Sequence, residues 1–389
     1  MQNKLAGTYG PRNLTLVKGK GSYVWDDQGT KYLDCVSGIS VNAFGHCYPP
    51  VVEAIKQQAN TLIHGSNLYL LPTQIELANQ LTALSGYASV FFTNSGTEAI
   101  EGALKFVRKY WYQKGETRRT EILTLESSFH GRTYGALAAT GQAKMKEGFG
   151  RVPQDFKHLS LDRPEEFEKA LTPQTAAILF EPILTEGGVI SLTPKFLAWI
   201  KEAQKAGVQL ICDEIQTGLG RTGSFFAYES LGIVPDVVTL AKPLGGGLPL
   251  GAILINQKVS DSIQAGDHGS TFGGNPVACA AGLAVLQSLG AKNFFKDIQE
   301  RSNFLRTELK ALIKRFPHSG FDSHLLGKGF IIGLTYQGDV GQFIQLCREK
   351  ELLILKAGAK VVRILPPLNI SKNELTELIE KMEQVLDII

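Results

Sequence analysis

Pro235-Asp236-Val237-Val238-Thr239-Leu240-Ala241-Lys242-Pro243-Leu244-Gly245-Gly246-Gly247 opens as a short apolar, β-branched run and ends on a lysine. Val237 to Leu240 has the composition of a strand buried on both faces, as in a parallel sheet. Pro243 and the three glycines then bar any regular element from continuing. A lysine at the end of such a strand sits at the carboxyl edge, where open α/β sheets place their ligands. Partial desolvation there lowers the pKa of an ammonium and makes the amine a usable nucleophile. The competing reading is a lysine that merely opens a solvated turn.

Working outward, Val208-Gln209-Leu210-Ile211-Cys212-Asp213-Glu214 is a second buried-type strand, ending in an acid pair. Its Asp213 should emerge at the same sheet edge as Lys242, unless it is only a cap or a surface carboxylate. Further strands are expected at 89–93, 121–125, 176–180 and 252–255. Helices are expected at 49–59, 73–84, 97–114, 164–171 and 194–206. In the second of these, Ile75, Leu77, Ala78, Leu81 and Leu84 share one face. Repeated βα units imply one large, mostly parallel sheet. Residues 1–45 read as an N-terminal arm, with a hairpin around Asp26-Asp27-Gln28-Gly29. The charge-poor stretch from Gly38 to Gly45 reads as a buried loop. Beyond residue 285 the pattern changes to a long helix over 294–316, short strands and a closing helix over 371–388.

Composition narrows the classes. Hydrophobic residues make up 43% and charged residues 20% of the 389 residues, enough for a sizeable core. The net charge of +3 gives no reason to expect nucleic acid or an anionic membrane surface. Cys35, Cys47, Cys212, Cys279 and Cys347 are odd in number and lack metal-type spacing, which points to a reducing compartment. With no apolar signal core over residues 1–10 and no run of transmembrane length, the expectation is a cytoplasmic protein.

The chemistry-bearing stretches nearly all follow strands. Asn94-Ser95-Gly96-Thr97 joins a strand to a helix, and free amides at a helix start suit a phosphate. It is neither a Walker loop nor a Gly-x-Gly-x-x-Gly fingerprint, which weighs against a kinase or a nicotinamide dehydrogenase. In Ser128-Phe129-His130-Gly131-Arg132-Thr133 an aromatic can stack on a planar group while Arg132 takes a carboxylate. Glu181, Glu186 and the loop Ser270-Thr271-Phe272-Gly273-Gly274-Asn275-Pro276 add acids and hydroxyls. Arg363 stands inside the apolar run Val362–Leu368, so it needs a carboxylate partner from protein or substrate. A phosphate cradle, a stacking aromatic, a carboxylate, an amine and two arginines together suit a phosphorylated aromatic cofactor held on a lysine. Pyridoxal 5′-phosphate (PLP) is the simplest such ligand.

Taken in order, these motifs resemble the class III aminotransferases, most closely the acetylornithine branch. The resemblance runs from Tyr23-Val24-Trp25-Asp26 through Asn42–His46, Asp213–Gly218, Gly220–Gly223 and Lys242 to Arg363. It implies a fold type I PLP enzyme. A large, mostly parallel sheet domain over 46–285 would bind PLP, and a smaller α+β domain would combine 1–45 with 286–389. Lys242 would hold the cofactor and carry the reaction's proton. Asp213 would face the pyridine nitrogen and Gln216 the ring hydroxyl. Gly96 and Thr97 would cradle the phosphate, Phe129 would stack on the ring, and Thr271 would reach the phosphate of the neighbouring subunit in a homodimer with shared sites. Arg132 and Ser270 would hold the acylated substrate. Arg363 would take the α-carboxylate of glutamate or 2-oxoglutarate, pairing with Glu186 otherwise. The implied reaction converts N2-acetylornithine and 2-oxoglutarate to N-acetylglutamate 5-semialdehyde and glutamate, a step of arginine biosynthesis.

Other substrates within the family are succinylornithine, N-acetyl-lysine-type donors, ornithine and 4-aminobutyrate. Outside it stand a racemase or aminomutase on the same fold, and a non-catalytic binding protein. Ile39 is expected at the site's mouth. The chain departs from the family pattern at Arg12-Asn13-Leu14, where a proline often follows, at Leu184-Thr185 in place of Gln-Gly, and at Pro243 in place of glycine.

Overall fold

The computed structural model describes residues 4–9 and 13–389; Arg12 lies outside the described residues. The central sheet has seven strands: β1 Ser89–Thr93, β2 Glu121–Leu125, β3 Phe156–Leu159, β4 Thr175–Phe180, β5 Gln209–Asp213, β6 Val237–Leu240 and β7 Gly251–Ile255. Their order is β1-β7-β6-β5-β4-β2-β3. β7 runs antiparallel to both of its neighbours, and the other pairings are parallel. Every residue of β4, β5 and β6 is buried, in keeping with their mainly apolar composition. Asp213 pairs with Thr239 across β5 and β6, so both strands end at one edge with Lys242 three residues beyond.

Two four-stranded sheets accompany this layer, besides a two-stranded pair of Ile183–Leu184 with Ile190–Ser191. The N-terminal strands Leu16–Lys20, Tyr23–Asp26 and Lys31–Asp34 are joined by Leu352–Leu353, which pairs parallel to Leu33–Asp34. The other sheet has the order Phe321–Leu326, Ile332–Tyr336, Val361–Ile364, Leu355–Ala357. Its third strand holds Arg363 opposite Gly333 and Leu355. The closing helix Lys372–Leu386 starts on a reciprocal cap between Ser371 and Glu374.

The structure corrects several expectations. Helix Pro276–Leu289 has no counterpart in the sequence reading; ten of its residues are buried, so it carries no polar face to reveal a helical period. Strand β3 was also missed, because Phe-Lys-His-Leu at a sheet edge has little apolar signal. The single helix expected over 164–171 is a 3₁₀ turn, Pro164–Glu166, followed by one α turn. In helix Pro72–Ser85, Leu77 and Leu81 are buried but Ile75 and Leu84 are exposed. The loop expected to be buried is so at Ser40 and from Ala43 to Gly45, but Gly38 and Ile39 take left-handed conformations and Ile39 is 44% exposed. Among the described residues no single helix is long and apolar enough to cross a membrane.

Candidate active site

One cavity of about 450 Å³ opens at the carboxyl edge of β5 and β6. Asn94 to Thr97, Phe129 to Arg132, Asp213, Gln216 and Lys242 all line it. The sequence-predicted cofactor residues other than Thr271 are therefore brought together.

Lys242 begins a short 3₁₀ turn with φ +30°. A side-chain-bearing residue in that region costs about 1–3 kcal/mol and persists only where its surroundings impose it. The lysine is not the opening of a solvated turn. Burial pulls its amine down to about 8, against an upward pull from Glu186 and a further lowering by Arg363.

Gly96–Gln113, here α1, runs back from the cavity. Its cap Ser95 accepts the Glu98 amide, and the Ser95 carbonyl accepts the Ala99 amide. The amides of Gly96 and Thr97 stand before the first intrahelical bond and remain for an anion. Asp213 is buried; its Oδ2 lies 2.8 Å from His130 Nδ1, and its Oδ1 accepts the Ile215 amide. His130 Nε2 lies 3.2 Å from Thr124 Oγ1. This imidazole, unassigned from sequence, is the principal omission; its only signal was its place between Phe129 and Arg132.

Glu181, named from sequence without a role, also lines the cavity. It accepts the Phe129 amide at 2.9 Å, and burial lifts its carboxyl to about 7, with the His130 and Asp213 charges acting in opposite directions. Glu214, the other half of the acid pair, is lifted by burial to about 7 and is occupied by Thr217 Oγ1 and the Tyr228 amide.

Arg363 is 1% exposed and makes a two-pronged pair with Glu186, Nη1 to Oε1 at 2.7 Å and Nη2 to Oε2 at 3.1 Å. Burial works against the Glu186 charge, but Arg363 overcomes it and holds that carboxyl below its ordinary range. Gln216 joins the pair, accepting from Arg363 at 3.1 Å and donating to Glu186 at 3.0 Å. Arg132 is exposed, with its guanidinium 5.7 Å from the Phe129 ring centre.

Thr271 does not line this cavity. It lies in a separate cleft with Leu68, Tyr69 and Leu70, all strongly exposed. Ser270 lies between the two, accepting from Asn94 Nδ2 at 3.3 Å. Val41, not Ile39, is the loop residue in the cavity wall.

The donor set fits a planar phosphorylated pyridine: two free amides for the phosphate, an aromatic wall, a buried carboxylate and an amine of lowered pKa. Comparisons agree. The chain is 43% identical over 384 residues to an acetylornithine aminotransferase of Caldanaerobacter subterraneus subsp. tengcongensis, covering 98% of this chain and 97% of that one. An N-acetylornithine aminotransferase structure from Stenotrophomonas maltophilia superposes with TM-score 0.85 at 32% identity, covering 98% of each chain. An ornithine aminotransferase from Toxoplasma gondii, with PLP at partial occupancy in its active site, gives TM-score 0.94 at 29% identity, covering 99% of this chain and 92% of that one. The aminotransferase class-III family profile matches residues 6–386, nearly the full length, and the chain belongs to that family.

Proposed function

We propose that this enzyme, with PLP as cofactor, transfers the terminal amino group of N2-acetylornithine to 2-oxoglutarate, yielding N-acetylglutamate 5-semialdehyde and glutamate in arginine biosynthesis. The observation that carries the reading is one cavity holding Lys242, Asp213, Phe129 and the Gly96–Thr97 amides, with the Arg363–Glu186 pair joined to it through Gln216. Bound there, PLP would supply an aldehyde that condenses with amines and a protonated ring that withdraws electrons. Lys242 would hold the cofactor and carry the proton lost from the substrate carbon bearing the transferred amine. Gln216 would meet the ring hydroxyl.

Arg363 serves both halves of the exchange. With Glu186 in place its charge is neutralised, which suits the acylated donor; a glutamate or 2-oxoglutarate α-carboxylate would replace Glu186 on the same fork. Arg132 and Ser270 would hold the acylated substrate, Arg132 by its carboxylate. The cavity wall includes Val41, Leu248 and Pro249. A free α-ammonium is poorly paired against such a surface, whereas an acylated nitrogen carries no charge to desolvate. The expected kcat/KM is at least ~10-fold higher for N2-acetylornithine than for ornithine, since an apolar pocket alone discriminates by about 1–3 kcal/mol and stranding a polar group adds to that. Steady-state rates on a panel of donors, with 2-oxoglutarate as acceptor, check this. Equal or better rates with ornithine or 4-aminobutyrate would remove the acetylornithine assignment and leave the family.

The exposure of Leu68, Tyr69, Leu70 and Phe272 around Thr271 supports a homodimer in which Thr271 completes the partner's phosphate site. Mixing Lys242→Ala and Thr271→Ala chains should then give heterodimers with one doubly damaged and one intact site. Activity is expected to rise above that of either parent; no recovery after demonstrated chain exchange would place both residues in one chain's site. We further assign residues 46–285 to the cofactor-binding domain and 1–45 with 286–389 to the smaller one. The cytoplasm suits the four buried free thiols Cys35, Cys212, Cys279 and Cys347.

A further inference from the structure

The loop that carries Ser270 and Thr271 is seated on one face of α1. Gly102, Lys105, Phe106 and Lys109 are spaced three and four apart, so they share that face. His268 is the point of contact. Its ring centre lies 4.9 Å from that of Phe91 on β1 and 5.7 Å from that of Phe106, which it meets edge-on. Lys105 Nζ lies 2.9 Å from His268 Nδ1. An ammonium only donates, so Nδ1 accepts, the ring is neutral and Nε2 carries its proton. Burial holds the imidazole below its ordinary range and the Lys105 charge adds to this, against upward pulls from Glu101 and Glu98.

Glycine weakens a helix interior, so Gly102 needs a packing reason. A Cβ there would collide with Ile253 and stand 3.3 Å from His268 Nε2; its absence lets the imidazole approach the helix. On the same face, Lys109 pairs with Asp267 at 2.8 Å. The other side of the loop is fastened from a different element. Asn67 Nδ2 donates to the carbonyls of Ser270 at 2.8 Å and Gly273 at 3.0 Å. Thr271 lies between those two carbonyls and is itself exposed, so its placement depends on how the loop is seated.

We propose that His268 is a positioning residue for the cofactor's phosphate in the partner subunit: docked on the middle of α1, it fixes the loop that carries Thr271, and so sets how well the Thr271 hydroxyl meets that phosphate. This rests on the reading of Thr271 as completing the partner's phosphate site. His268 acts only through Thr271. One helix thereby serves two sites: the Gly96 and Thr97 amides of α1 face the phosphate of their own chain, and its middle seats the loop that reaches the other.

The test measures PLP affinity by equilibrium dialysis of the loaded enzyme in Thr271→Ala, His268→Ala, His268→Asn and Lys105→Met. Thr271→Ala is expected to weaken PLP about 10- to 100-fold, the range for a hydrogen bond to a charged group. His268→Ala should weaken it about 5-fold or more but no further than Thr271→Ala, and the double variant should lose little beyond Thr271→Ala alone. His268→Asn places an acceptor near the position of Nδ1 and should recover part of the loss. Lys105 is exposed, so Lys105→Met should fold and weaken PLP in the same direction. Pyridoxal, which lacks the phosphate, should bind His268→Ala and the native chain equally well. Chains of His268→Ala mixed with Lys242→Ala give heterodimers in which the one site with a lysine receives an undamaged Thr271 loop. At a PLP concentration too low to fill His268→Ala, turnover of the mixture should rise above that of either parent. Loss of affinity for PLP and pyridoxal alike, or no recovery after demonstrated chain exchange, would make His268 a support of its own chain's site and overturn the proposal. Native PLP affinity in His268→Ala and Lys105→Met, with Thr271→Ala impaired, would overturn it and leave the Thr271 reading standing. Native PLP affinity in Thr271→Ala would remove that reading and the role of His268 with it.

Discussion

Lys242→Ala is expected to lower turnover by at least about 10³-fold, because one amine acts both as the point of covalent attachment and as the base that moves the proton; the second role alone is worth about 10²–10⁴-fold. No other amine lines the cavity among the described residues. The variant should also fold. Burial holds the Lys242 amine at about 8, below its unfolded value. The folded state therefore binds fewer protons than the unfolded state between that value and the ordinary lysine range, and stability rises with pH across the window. At pH 7 the native cofactor-free protein bears the full burden of a partly desolvated ammonium. Alanine removes that burden, and the strain at φ +30° is relieved only in part, since alanine also disfavours the left-handed region. The cofactor-free variant should thus melt no lower than the cofactor-free native chain at pH 7, with a smaller gain in stability on going to pH 9. Near-native turnover in Lys242→Ala would take the lysine out of its role; a collapsed melting temperature would show that the turn at 242–245 needs the side chain.

What could be read in advance follows from where each signal comes. Lys242 and Asp213 were legible because Asp213 ends and Lys242 closely follows a mainly apolar strand, and parallel strands send their carboxyl ends to one edge. Arg363 was legible because a guanidinium in an apolar run demands a partner, and Glu186 is that partner. His130 was not assigned, because its role is defined by Asp213 eighty-three residues away and no local pattern encodes that contact. Glu181 was named but had no role for the same reason: it acts by receiving the Phe129 amide between the ends of the neighbouring strands β2 and β4. The reversed direction of β7 left no mark, since a buried strand has the same composition either way. Helix Pro276–Leu289 left little to read because it is mostly buried and apolar on nearly every side, so its helical period is faint. Ile39 was expected at the site's mouth; the loop residue that lines the cavity is Val41, just beyond the left-handed turn at Gly38 and Ile39.

Asp213→Asn is expected to leave the fold intact and reduce kcat by about 10²–10³-fold. The change keeps the side chain's size, and its neighbours His130, Ile215 and Thr239 can still be met by an amide. What is lost is the fixed negative charge in a site that is 3% exposed. There a charge facing a protonated ring nitrogen is weakly screened, and breaking such a buried pair costs about 3–5 kcal/mol. An amide could present its carbonyl oxygen to the ring nitrogen, but only by offering its NH₂ to His130. His130 Nδ1 would then have to accept rather than donate, reversing the tautomer that Thr124 now meets through Nε2. The Thr124 hydroxyl can accept from Nε2 as readily as donate to it, so rotation and the other tautomer can remake the hydrogen bonds, but no orientation restores the charge. His130→Asn should show a smaller loss of the same kind, because Asp213 would keep its charge and lose only its orientation. The double variant should be little worse than Asp213→Asn, since the imidazole acts through the carboxylate. Single-turnover rates with saturating PLP separate these outcomes from weakened cofactor binding. An unchanged kcat with cofactor bound in Asp213→Asn would contradict the assignment, and additive losses in the double variant would give His130 a function independent of Asp213.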